Sequence, residues 1–135
     1  MIVGIGVDLI GVGRIRAVHE RQGQRFLDRI YTAAEQAYCL AHRDPSERLA
    51  ARWAAKEACM KALGTGWARG VTFLDIGVIT LPGGGPGLDL HGGARTHAER
   101  LGLVRAHLTM SHSDGMAVAL VVLEASSQPA QPPRL

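Results

Sequence analysis

The sequence predicts an α+β fold: a mostly antiparallel sheet packed against helices, one of them unusually long. Three observations predict it. Apolar runs of β-type composition sit near the two ends of the chain, at residues 2–8, 104–111 and 116–123. The last two are joined through His112-Ser113-Asp114-Gly115, where Asp-Gly is a strong hairpin signal. Between the ends lies an uninterrupted helical pattern over residues 45–63. Strands and helices segregated in this way form an α+β layer structure.

The elements follow in order. Residues 2–8 read as a strand, broken by Gly11-Val12-Gly13. Arg14 to about Arg29 reads as helix, disturbed at Gly23. Thr32-Ala33-Ala34-Glu35 is a capping box that opens a helix to about His42. Asp44 can cap the long helix, Pro45 suits its first turn, Glu47 completes a cap-like box, and Gly64 stops it. Phe73 to Leu81 is strand-like, Pro82 to Gly87 a turn, and Leu88 to His91 a short strand. Gly92 to Leu101 reads as helix, stopped by Gly102. Residues 1–123 form one domain. Residues 124–135 are polar and proline-rich and are expected to be a disordered tail.

Composition narrows the class. A chain of 135 residues is one domain with room for a core that needs no staple. The chain opens directly into a strand without a basic leader, and its longest apolar run, Met116 to Leu123, is too short to span a bilayer. Cys39 and Cys59 both fall in helical patterns and read as buried free thiols, so a cytoplasmic protein is expected. The net charge of +3 hints at an acidic partner. Nucleic acid is disfavoured, because the arginine-rich stretches lack interleaved aromatics and no nucleic-acid-binding motif is present. Gly4-Ile5-Gly6 is not a dinucleotide fingerprint, since the spacing after it fails; the glycines more simply let another backbone approach.

The chemistry concentrates on the long helix. Leu49, Trp53, Met60 and Leu63 form its apolar stripe, and Lys56 falls inside it. Glu57 lies at the edge, with Lys61 one turn on. A snorkelling lysine beside a surface ion pair would be the ordinary explanation. Asp8 argues for more, because a carboxylate interrupting an otherwise apolar strand wants a cation or donors. A strand aspartate and a helix glutamate make a site for a hard cation such as magnesium, with water and phosphates completing the octahedron. Lys61 would then face the phosphates.

Together, Gly4-Ile5-Gly6-Val7-Asp8, Arg52-Trp53-Ala54-Ala55-Lys56-Glu57-Ala58 with Lys61-Ala62-Leu63-Gly64-Thr65-Gly66, Phe73-Leu74-Asp75-Ile76 and Met110-Ser111-His112 resemble the holo-acyl-carrier-protein synthases, the short class of 4′-phosphopantetheinyl transferases. The likeness runs from residue 1 to about 123. It implies magnesium-dependent transfer of phosphopantetheine from coenzyme A to a serine of apo-acyl carrier protein, releasing adenosine 3′,5′-bisphosphate, as fatty acid biosynthesis requires; manganese is the alternative cation. It places the metal ligands at Asp8 and Glu57 and adds Lys61 as a catalytic residue. Arg52, Trp53, Lys61, Gly64, Gly66, Pro86, Ser111 and His112 become coenzyme contacts, and Arg14, Arg21 and Arg25 a docking face for the acidic carrier. A homotrimer with sites between neighbours is also implied. The chain departs from the family at Gly11, usually acidic; at Ala51, usually Gly; at Trp53, usually Phe; and at Gly85-Pro86, where a Gly-Lys-Pro is common.

The residues themselves leave rivals open. Gly64-Thr65-Gly66 reads as a plain helix cap or as a loop whose amides hold a phosphate. His112 is an idle turn histidine or a pocket residue. The arginines share one face if the helix continues through Gly23, and otherwise belong to a solvated surface. A non-catalytic coenzyme-binding module would lack the carboxylate pair, and a nucleic-acid-binding domain would need no metal.

Overall fold

The computed structural model describes residues 1–126. Strand β1 (Ile2–Gly11) pairs antiparallel with β5 (Met116–Ala125), which pairs antiparallel with β4 (Leu103–Ser113), giving the order β1-β5-β4. A separate hairpin joins β2 (Ile76–Thr80) to β3 (Pro86–Leu90). The helices are α1 (Val12–Gln22), α2 (Gln24–Ile30), α3 (Ala33–Leu40), α4 (Ser46–Leu63) and α5 (Gly92–Arg100). A 3₁₀ turn over Phe73–Asp75 precedes β2.

Helix α4 is the centre of the molecule. Leu49, Ala50, Ala54, Ala55, Ala58, Cys59 and Met60 are all buried, so the helix is covered nearly all round and not on one stripe alone. One face of the three-stranded sheet covers it. Because side chains alternate along a strand, Gly4, Gly6, Asp8 and Ile10 share one face of β1, and Ile5, Val7 and Leu9 the other. The glycines are the contact. A Cβ on Gly4 would lie 2.1 Å from the Ala62 carbonyl oxygen, and one on Gly6 would lie 1.9 Å from that of Ala58. Strand and helix backbones therefore touch directly, as the Gly4-x-Gly6 spacing leads one to expect. The small side chains of Ala54, Ala58 and Ala62 keep the rest of the seam equally shallow.

Helix ends follow the local chemistry. The Thr32 hydroxyl accepts the Glu35 amide, and the Glu35 carboxylate accepts the Thr32 amide, which completes the capping box. At the start of α4, the Asp44 carboxylate accepts the Ser46 amide at 3.1 Å. Glu47 makes no cap-like box there; its carboxylate meets His112 instead, at 2.8 Å. The Asp114-Gly115 turn has positive φ at both residues (50° and 74°), the backbone that a two-residue hairpin with matching twist requires.

Several boundaries differ from the sequence reading: β1 continues through Gly11, α3 stops at Leu40, and Pro86 and Gly87 are strand and not turn. Gly23 (φ 57°, ψ −132°) ends α1 outright, so the segment is two helices. The stretch from Phe73 begins as a 3₁₀ turn, because Thr72 and Asp75 cap each other across it. Glu124 and Ala125 are strand, paired opposite β1 and β4, and do not belong to a tail. The rest of the expected tail, 127–135, lies outside the described residues.

The seam predicts that Gly6→Ala destabilises the protein more than an ordinary core overpacking of about 1–3 kcal/mol, since the obstacle is backbone and not a flexible side chain. Denaturant unfolding checks this. Gly13→Ala, in open space on α1, is the control and should unfold near the wild type.

Candidate active site

The seam delivers Asp8 to the flank of α4. Its Oδ1 accepts from the Lys61 ammonium at 3.1 Å, and the same ammonium reaches the Val7 carbonyl at 2.9 Å. The counter-ion of Lys61 is thus Asp8, and not Glu57 one turn back as the helix spacing had implied. Glu57 stands nearby, half-buried, with its carboxyl pushed above the ordinary glutamate range. Burial is the largest cause and the Asp8 carboxylate the next; the Trp67 indole, Lys61 and Arg14 pull the other way. Two neighbouring carboxylates, one of them half-buried, are a donor set for a hard cation. Among the described residues no group of three or more His, Cys, Asp or Glu converges.

A groove opens beside Glu57. Trp53, one turn before it, and Met60, one turn after it, line a cavity of about 630 Å³ together with Ile30, Trp67, Phe73 and Leu74. The Trp53 and Phe73 rings lie 4.7 Å apart, and Trp67 reaches Phe73 at 6.1 Å. A second, smaller cavity of about 190 Å³ lies on the other side of Trp53, between α1, α2 and the end of β1. Arg14 and Arg29 sit among its lining with Ile15, Val18 and Phe26.

Lys56 is not part of this constellation. It is wholly buried, and its partner is Glu35 at 2.8 Å, not Glu57. Adjacent helix positions point about 100° apart, so Lys56 and Glu57 cannot serve the same face. Burial pushes the Lys56 ammonium below the ordinary lysine range, and Glu35 pulls it back.

Of the expected site residues, Asp8, Glu57, Lys61 and Trp53 come together. Gly64 and Gly66 close the same end of α4, but their amides are not free for a phosphate. The Gly64 amide donates to the Lys61 carbonyl, and those of Thr65 and Gly66 donate to that of Met60. Both glycines take positive φ to make this cap. Arg52 turns toward α3, its guanidinium 4.3 Å over the Tyr38 ring and its Nε buried without a partner among the described residues. Pro86 opens β3. Ser111 and His112 lie two strands from β1, at the Glu47 end of α4. Arg14, Arg21 and Arg25 do not share a helical face, because Gly23 puts Arg25 on α2. It is Arg29 that joins Arg14 at the small cavity. Sequence reasoning missed Arg29, Trp67 and the Glu35 partnership. The one available signal was Lys56, which needed an anion that its own helix could not aim at it.

The chain matches the family model described as the 4′-phosphopantetheinyl transferase superfamily over residues 4–121. It is 52% identical over 124 residues to a holo-[acyl-carrier-protein] synthase of Koribacter versatilis, covering 92% of this chain and 99% of that protein. Among solved structures, it is similar to the holo-[acyl-carrier-protein] synthase of Neisseria meningitidis (TM-score 0.83, 36% identity, 92% of this chain and 99% of that one). It is also similar to the Helicobacter pylori synthase in complex with coenzyme A (TM-score 0.78, 31% identity, 89% and 99%).

The Glu57 environment predicts a pH dependence for the metal-free protein. A carboxyl whose folded pKa is raised binds its proton more tightly folded than unfolded. Its contribution to stability therefore falls as pH rises from the ordinary value of 4.5 through the folded one. Thermal unfolding of wild type and Glu57→Gln across that range should show the wild type losing stability relative to the variant. A difference that is flat or rising with pH would contradict the raised carboxyl.

Proposed function

The chain belongs to the 4′-phosphopantetheinyl transferase superfamily, and from that premise we propose that it is a holo-[acyl-carrier-protein] synthase. It transfers 4′-phosphopantetheine from coenzyme A to a serine of apo-acyl carrier protein and releases adenosine 3′,5′-bisphosphate. The observation that carries this reading is the Asp8–Glu57 pair with Lys61, beside the α4 positions Trp53 and Met60 that line an apolar groove. A pyrophosphate needs positive charge, and an extended amphipathic arm needs a mostly apolar cleft with few polar groups.

Asp8 and Glu57 fit a magnesium ion, since they supply two oxygen donors whose mutual repulsion a divalent cation relieves. When bound there, the ion supplies Lewis-acid stabilisation of the charge that gathers on the leaving phosphate. Lys61, half-exposed and already held at Asp8, swings its ammonium onto the pyrophosphate when Asp8 is otherwise engaged. Positioning contributes most of the remainder, because phosphoryl-type transfer asks little covalent chemistry of the protein. The attacking oxygen is the carrier's serine. The small cavity with Arg14 and Arg29 at its edge is where an acidic carrier helix docks, Arg21 and Arg25 extending the positive field beyond it.

Arg52, Pro86, Ser111 and His112 belong to the same reading through a neighbour. The outer face of the sheet leaves Ile5 and Leu9 each 62% exposed and Val7 53%, with Leu120 beside them on β5. An apolar face of this kind is what a second copy covers. In a homotrimer, His112 and Ser111 at its edge would face the metal-site end of the adjacent protomer and complete the coenzyme pocket. No helix among the described residues is long and apolar enough to cross a membrane.

Three outcomes follow. In a mass-shift assay with apo-carrier, coenzyme A and magnesium, wild type should add one phosphopantetheine, while Asp8→Ala and Glu57→Ala abolish transfer yet remain folded by circular dichroism. Full activity of either variant at ordinary magnesium would end the metal-site assignment. Lys61→Ala should weaken coenzyme A use by about 1.5–3 kcal/mol, as expected for a hydrogen bond to a charged group, and coincident coenzyme titrations would make Lys61 structural only. Charge reversal at Arg14, Arg21 and Arg25 should raise the carrier KM and spare coenzyme binding, read by steady-state kinetics at two salt concentrations. Arg29→Glu should affect both substrates, since Arg29 lines both cavities, and the opposite split for Arg14, Arg21 and Arg25 would move those arginines to the coenzyme pocket.

A further inference from the structure

The buried pair Glu35–Lys56 lies outside the proposed machinery, yet its hydrogen bonds end at the wall of the groove. Lys56 has three donors, and all three are used: Glu35 at 2.8 Å, the Phe73 carbonyl at 3.1 Å and the Ile76 carbonyl at 2.6 Å. The two carbonyls bracket the 3₁₀ turn that carries Phe73. Glu35 is equally committed. One oxygen takes the Thr32 amide and Lys56, and the other takes the Val78 amide of β2 at 2.8 Å. The pair therefore ties α3 and α4 to the segment from Phe73 to Val78, and that segment faces α4 across the groove beside Glu57.

Stability alone is a poor reason for this pair. Two charges at about zero exposure pay a desolvation penalty that a well-packed apolar pair of similar volume avoids, often with no loss of stability. What an apolar pair cannot do is hold backbone carbonyls and an amide at fixed places. Lys56 also sits next to Glu57 on the same rigid helix, so the clamp sets the distance from the Glu57 carboxylate to the Phe73 wall. We infer that Glu35 and Lys56 are positioning residues for the transfer reaction: by fixing the Phe73–Ile76 turn against α4, they set the width of the groove beside Glu57. The inference rests on the reading of that groove as the place where the coenzyme's extended arm lies during transfer.

The test compares wild type with the apolar pair variant Glu35→Leu/Lys56→Met, in full-length protein, by two readouts. Amide hydrogen exchange should quicken over residues 73–78 while α4 and the β1-β5-β4 sheet keep their protection. Steady-state kinetics should show kcat lower by about ten- to a hundredfold, the range a misplacement of about 1 Å can produce, with the carrier KM unchanged. If the pair variant does not fold, Glu35→Gln carries both readouts; with a single oxygen its amide cannot serve both Val78 and Lys56, so the clamp loses a tie while the side-chain volume is kept. A folded variant with wild-type kinetics, or with unchanged exchange over 73–78, overturns the inference. Wild-type protein that transfers nothing would instead overturn the functional reading, and the exchange measurement would still decide whether the clamp exists.

Discussion

Everything at the site depends on how closely β1 approaches α4. A strand normally rests on a helix through two layers of side chain, about 10 Å apart. Here Gly4 and Gly6 bring the strand backbone onto the carbonyls of Ala62 and Ala58. Two residues further along the same face, Asp8 arrives at the helix flank with a short side chain, and at that depth it reaches Lys61 and faces Glu57. A normal strand–helix spacing would leave a side chain as short as aspartate several ångströms out of reach. The seam also fixes which residues of β1 are left outside, and so sets the apolar face of Ile5, Val7 and Leu9 that a neighbouring copy would cover.

A second feature separates two kinds of charge on α4. Lys56 is silent in the chemistry because its donors are spent on Glu35 and two carbonyls, whereas Lys61 is half-exposed and bonds a carboxylate that a cation can take over. The difference is one of solvent and partners, not of residue type. Glu57 differs from both, held at an elevated carboxyl by burial and by Asp8, with the Trp67 indole as its neutral neighbour. Neither stabilising ion pair nor free surface charge, it is an unbalanced negative group next to an apolar groove.

Much of this was legible from the chain. The long helix, the Thr32–Glu35 capping box, the Asp114-Gly115 hairpin and the close approach at Gly4 and Gly6 follow from local chemistry, which the sequence carries directly. Asp8 and Glu57 stood out because a carboxylate in an apolar run has no cheap structural excuse. Pairings across the fold were harder. Helix spacing puts Lys61 next to Glu57, but the carboxylate it bonds is 53 residues away on β1. Glu35 was fully explained by its cap, and nothing local reveals that its two oxygens also serve Lys56 and Val78. Of the two readings of Gly64-Thr65-Gly66, the helix cap is the one the structure forms: where a helix ends in a glycine cap, the helix itself bonds the amides. Gly23 signals a disturbance in the sequence, but whether a glycine kinks or ends a helix depends on what the following residues, such as the buried Phe26 and Leu27, must pack against.

In the proposed reaction, Asp8 and Glu57, brought together by the glycine seam, would hold the divalent cation. Manganese offers the most direct reading, because a bound paramagnetic ion broadens the resonances of nuclei around it. In an amide spectrum of the protein with coenzyme A, substoichiometric manganese should broaden residues 7–9 and 56–58 first and most strongly, and excess magnesium should reverse it. Broadening centred elsewhere, or none near Asp8 and Glu57, would contradict the account.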